Sequence, residues 1–228
     1  MDPEGAFVLQ PALFEINQTS ISNLELFPKV WRAAEEIVDP LLENRQRGMQ
    51  ILEEFHAARF SPLIAYLLFT RMNEPDTGLR CRIIRVLSET LSPDAQGNLA
   101  TDGVRQTMRH HLTLLGWDQI YCLLEAIETE PALEKAGTVL LKANSRAGEV
   151  LAEMLLDRKN PLMIRIQAAQ MIGRVGYVAA APSIERLMNR LEAKANGQQA
   201  FSFSSAESIE EARILPVLQA VQAILRAS

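Results

Sequence analysis

The sequence predicts an all-α fold. Apolar residues recur with a 3.6-residue period through nearly the whole chain, and alternating strand-like patterns of any length are absent. Proline-led helix openings also return along the chain, and most gaps between periodic segments are short, so neighbouring helices are expected to pack as antiparallel hairpins.

Taken in order, residues 1–25 have little helical period and carry Pro and Gly interruptions. They read as an extended arm whose Phe7, Val8, Leu9, Leu13, Phe14 and Ile16 pack on the first hairpin. Residues 26–228 form the helical domain. Helices are expected at 26–38, opened by FPKVW, at 40–57, and at 61–73, opened by SPLIA. In the helix expected at 77–92, Leu79, Ile83, Val86 and Leu87 fall on one face and Arg82, Arg85 and Glu89 on another. After the long connection SPDAQGNLATDG come helices at 103–115, 117–129 and 131–143. Helices at 146–158, 161–175 and 180–195 follow, the last opened by APSIE. A second long connection, ANGQQAFSFSSAES, leads to a helix at 207–226 containing the apolar run ILPVLQAVQAIL.

Composition bounds the function classes. With 228 residues, 48% of them apolar, the chain can bury a sizeable core. Its 23 basic and 28 acidic residues argue against a protein whose main task is gripping phosphate backbones, so nucleic acid is not the expected partner. Cys81 and Cys122 lie in apolar helical runs and read as reduced thiols of a cytoplasmic protein. The N-terminus lacks a basic segment followed by an apolar core, and no apolar run approaches the roughly 18 residues a membrane span needs. Neither secretion nor membrane insertion is expected.

The stretch NPLMIRIQAAQMIGRVGYVAAAPSI at 160–184 carries the most information. Asn160-Pro161 ends one helix and starts the next, Ala168-Ala169 allow close helix approach, Gly173 and Gly176 allow a tight helix end, and Pro182 opens the following helix. The order Asn160-Pro161, Ile164-Arg165, Ala168-Ala169, Ile172-Gly173 and Ala180-Ala181-Pro182 resembles the HEAT-type helical repeat, in particular the short bacterial form also seen in phycobilin lyases. Weaker copies are EPDTGLRCRIIRVLSETL, through Asp76, Leu79 and Arg80, and EPALEKAGTVLLKA, through Pro131, Lys135, Ala136 and Gly137. The spacings Pro28 to Pro62 and Pro182 to Pro216 are 34 residues each, within the range of helical-hairpin repeats. The resemblance implies an α-solenoid of about five stacked antiparallel hairpins, because a single hairpin cannot bury its apolar stripe alone. It also implies that Arg165 is a structural tie to an acidic group or to carbonyls of an adjacent unit.

No catalytic constellation emerges. His56, His110 and His111 lack the spacing of three or four that places two rings on one helical face, and the His-Glu ligands of HEAT-like di-iron hydroxylases are missing. Phosphate-binding Gly loops and nucleophile motifs are absent too, so no metal or cofactor is expected. Trp117-Asp118 resembles the aromatic and acidic lining of HEAT-like alkylpurine DNA glycosylases, but also reads as an apolar anchor beside an acid favoured by the helix dipole. A phycobilin-lyase-like subunit acting on a chromophore protein is the other alternative.

The favoured reading is a noncatalytic protein interaction scaffold. In HEAT geometry the second helices would line a concave face with Gln46, Gln50, Arg82, Arg85, Glu89, Thr138, Lys142, Gln167, Gln170, Arg174, Gln219, Gln222 and Arg226. Of these, Arg82, Arg85, Lys142, Gln167, Gln170 and Arg174, helped by Phe201 and Phe203 of the second long connection, are the candidate contact residues for an acidic segment of another protein. A homodimer through ILPVLQAVQAIL is the competing use of the C-terminal helix.

Overall fold

A computed structural model describes residues 21–199 and 213–227, with side chains described for 28–193 and 213–227. The proposed arm up to residue 20, and Phe201 and Phe203, therefore lie outside the described residues. Among those described there are eleven α-helices and no strand. They are α1 (Ile21–Glu36), α2 (Leu42–Glu54), α3 (Pro62–Thr70), α4 (Thr77–Leu91), α5 (Asp102–Thr113) and α6 (Trp117–Thr129). Then follow α7 (Glu134–Lys142), α8 (Ala147–Leu156), α9 (Leu162–Val175), α10 (Ala181–Gln199) and α11 (Leu215–Ala227). Short 3-10 turns lie at Ala57–Arg59, Pro131–Leu133 and Val178–Ala180; they take up Ala57, residues 131–133 and Ala180, which periodicity alone assigns to the ends of α-helices.

Helix bounds follow local chemistry. Ser61 accepts from the Ile64 N–H at 3.3 Å and Asp76 from the Leu79 N–H at 2.8 Å, so both cap the helices that the sequence signals at those points. α1 begins earlier than expected and continues through Pro28, which lacks the N–H its fourth preceding carbonyl would use. α11 begins at Leu215, while Arg213 and Ile214 form a turn before it.

The chain divides into two compact units, the first ending at His111 and the second beginning at Leu112. In the first, α1 and α2 pair closely. A Cβ on Gly48 would stand 2.8 Å from the Ala33 carbonyl oxygen and 2.9 Å from the Ile37 nitrogen, so only glycine permits this crossing. Ile37, Met49, Leu52, Ile64, Leu68 and Ile83 are fully buried and form the core. Beside it Glu74, 1% exposed, receives the Arg45 guanidinium at 2.8 Å and that of Arg71.

The second unit is organised around α9, which packs against α6, α7, α8 and α11. Its Ala168, Ala169, Met171 and Ile172 are buried completely. Asn160 donates to the Met154 carbonyl at 3.0 Å, and Arg165, 3% exposed, donates to the Leu155 carbonyl at 3.0 Å, both in α8. Arg165 thus ties the two helices of its own hairpin. Gly176 closes α9 in the left-handed conformation, φ 78°, and the Tyr177 N–H returns to the Ile172 carbonyl at 3.1 Å.

Candidate functional site

Met163, Gln167, Gln170 and Arg174 recur at steps of four and three along α9, which puts them on one stripe facing away from the buried alanines. Met163 and Arg174 are exposed, and Gln167 and Gln170 half-buried. α11 lies alongside, because Gly173 has no side chain. A Cβ there would meet Val221 and Ile224 at 3.4–3.6 Å, ordinary contact that any longer side chain would exceed. The two helices leave an open groove of about 430 Å³ between them. Gln170 and Arg174 form one wall, while Val217, Ala220, Val221 and Ile224 supply an apolar floor and opposite wall. Ile224 is 47% exposed, large for an apolar side chain on a helix whose Leu218, Val221 and Leu225 are buried.

Charge at this groove is set by pairs. Arg174 bridges to Glu134 of α7, and both side chains keep enough exposure for solvent to weaken the attachment. At the far end of α11, Arg226 stands 3.5 Å from Glu185. Lys142, the last residue of α7, is exposed and outside the groove lining.

Of the residues expected to contact a partner, then, the structure brings Gln170 and Arg174 together on one groove, with Gln167 a turn away on the same stripe. Arg82 and Arg85 belong to α4 of the first unit. Arg82 makes a two-point pair with Glu53, at 3.2 and 2.5 Å, and Arg85 lines a separate cavity beside that pair. The apolar half of the groove was not among the expected contact residues. Its sequence signal was present in the run ILPVLQAVQAIL, which periodicity describes only as a helix with an apolar face.

Trp117 stacks on Tyr121, ring centres 5.1 Å apart and planes 19° from parallel, while Asp118 sits exposed in the first turn of α6. Neither cysteine is in a disulfide; Cys81 is buried and Cys122 half-buried. Among the described residues no three His, Cys, Asp or Glu side chains are grouped to hold a metal ion, and no helix is long and apolar enough to cross a membrane. No family model, curated protein or solved structure matches the chain.

Proposed function

We propose that this protein is a noncatalytic interaction scaffold built from HEAT-like helical hairpins, and that its groove between α9 and α11 takes a segment of another protein bearing apolar and acidic side chains. The observation that carries the reading is the groove's make-up: a floor of Val217, Ala220, Val221 and Ile224 beside a wall of Gln170 and Arg174. Apolar side chains of the segment fill the floor, supplying most of the affinity by leaving water. A carboxylate of the segment competes with Glu134 for Arg174, and the Gln170 amide serves the segment's backbone. HEAT-type stacking is part of the same proposal, supported by the hairpin α8–α9, where Asn160, Arg165 and Gly176 fill structural roles suited to that repeat. The lyase and glycosylase alternatives lack a comparable observation.

The test uses labelled synthetic peptides with alternating apolar and acidic residues, measured by fluorescence anisotropy against the same peptides with Lys replacing each acid. Acidic peptides should bind more tightly. Ala220→Trp, which plugs the groove from an exposed position, should abolish binding, and Arg174→Glu should reverse the preference between the two peptide sets. Equal binding of both sets, or full binding by the Ala220→Trp protein, overturns the assignment.

A further inference from the structure

A second concavity lies wholly within the first unit, between the C-terminal ends of α2 and α4 and the turn Ala57–Arg59, with a volume of about 290 Å³. Leu52, Ala58 and Val86 give it an apolar floor. Charged side chains of both signs stand around that floor. Glu53 is held by Arg82. Arg59 donates to the carbonyls of Glu89, Ser92 and Asn98 at 2.8, 2.9 and 2.6 Å, so its positive charge is answered by carbonyl dipoles at the end of α4 and in the connection after it. Arg85 and Glu89 face the cavity from successive turns of α4, and His56 from the end of α2. Among the described residues, the Glu89 carboxylate and the His56 ring make no hydrogen bond or ion pair within the protein.

His56 is unusual in a second, independent way. With φ 47° and ψ 36° it is the one non-glycine residue in the left-handed region among those described. The position follows the last turn of α2, where glycine is favoured because it has no Cβ to clash. Here the chain carries an imidazole where glycine would fold with less strain, and that imidazole stands on the cavity wall. Backbone strain of this kind persists where surrounding structure enforces it, and it concentrates at binding sites.

We infer that this cavity binds a free α-amino acid with an apolar side chain. The side chain lies on Leu52, Ala58 and Val86, the ammonium meets Glu89, and the carboxylate meets His56 and the guanidinium of Arg85. A ligand of a single sign would dehydrate the opposite charges of the wall without answering them, whereas a zwitterion answers both. The volume sits near the lower limit for ligand pockets, about 300 Å³, which suits a molecule of this size.

The full chain is titrated calorimetrically with leucine, methionine and phenylalanine, and in parallel with 4-methylpentanoate and 3-methylbutylamine, which carry one charge each. At least one amino acid should bind and raise the melting temperature, with each singly charged analogue at least about tenfold weaker. Glu89→Gln should lose at least about tenfold in affinity while remaining folded. His56→Gly should lose binding yet melt at the same or a higher temperature, since it removes the ligand contact and the backbone strain together. Three results each overturn the site: no amino acid binding at tens of millimolar, an acid or amine alone binding as well as the amino acid, or undiminished affinity in His56→Gly.

Discussion

Arg165 Nε donates to the Leu155 carbonyl oxygen across 3.0 Å, joining the first turn of α9 to the last turn of α8. The Leu155 carbonyl is among the final four of its helix, which have no N–H of the next turn to accept from. The guanidinium therefore satisfies a group that the hairpin would otherwise bury unpaired. Arg165→Met keeps the stem as far as the Nε position and removes the donor. It is expected to destabilise the protein by about 1–3 kcal/mol, seen as a lower urea midpoint with an unchanged slope.

Gly148 lies beneath the Tyr177 ring, so closely that a Cβ would stand 2.1 Å from the ring's Cγ. Gly148→Ala must displace the ring, at a cost of about 1–3 kcal/mol. Adding Tyr177→Ala removes the clash, so thermal or urea unfolding of the two single variants and the double variant should show strong non-additivity. Additive losses would mean that the two residues do not meet.

Gly48→Ala tests a harder contact, because its Cβ would meet α1 backbone at Ala33 and Ile37 rather than a side chain that can swing aside. The loss should reach or exceed the upper end of that same range, about 3 kcal/mol, in urea unfolding. No second substitution short of moving α1 should restore it.

Ala169 is fully buried in α9. Ala169→Phe should overpack the helix against its neighbours and lower stability by roughly 1–3 kcal/mol, read as a fall in melting temperature. Ala220→Phe, on the exposed groove wall, should leave the melting temperature nearly unchanged.

Glu74 should govern part of the acid unfolding limb. Burial pushes its carboxyl up, but hydrogen bonds from Arg45, Arg71 and the Asp76 N–H outweigh burial and hold it below its ordinary value of 4.5. A depressed carboxyl contributes stability that is present above the unfolded value and is lost as pH falls through the folded one. The loss from this group therefore belongs below pH 4.5. Glu74→Gln should cost about 3–5 kcal/mol at neutral pH, because two guanidiniums lose their buried partner, and should flatten the pH dependence of urea midpoints in that acid window.

The helical character of the chain was legible in its periodicity, and several bounds were legible in single residues. α6 spans Trp117–Thr129 as its pattern predicts, Ser61 and Asp76 cap where they stand, and Asn160, Arg165 and Gly176 close and tie the hairpin α8–α9. Each of these depends on interactions within one turn or between neighbours in sequence, where spacing and side-chain chemistry suffice. The stripe Gln167, Gln170 and Arg174 was likewise readable from the helical period.

What covers or accompanies that stripe was decided by tertiary structure. Val221 and Ile224 reach Gly173 from 48 and 51 positions away, and only that approach turns a polar stripe into the wall of a groove. Arg82 and Arg174 read as cationic on their own helices, yet packing sets Glu53 and Glu134 beside them and offsets much of that charge. His56 gives no sign in sequence that its backbone is left-handed, a conformation it adopts where α2 gives way to the 3-10 turn Ala57–Arg59. The physical division is one of range: propensity, period and capping act over a few residues, whereas grooves, ion-pair partners and enforced strain arise when distant segments compete for the same space.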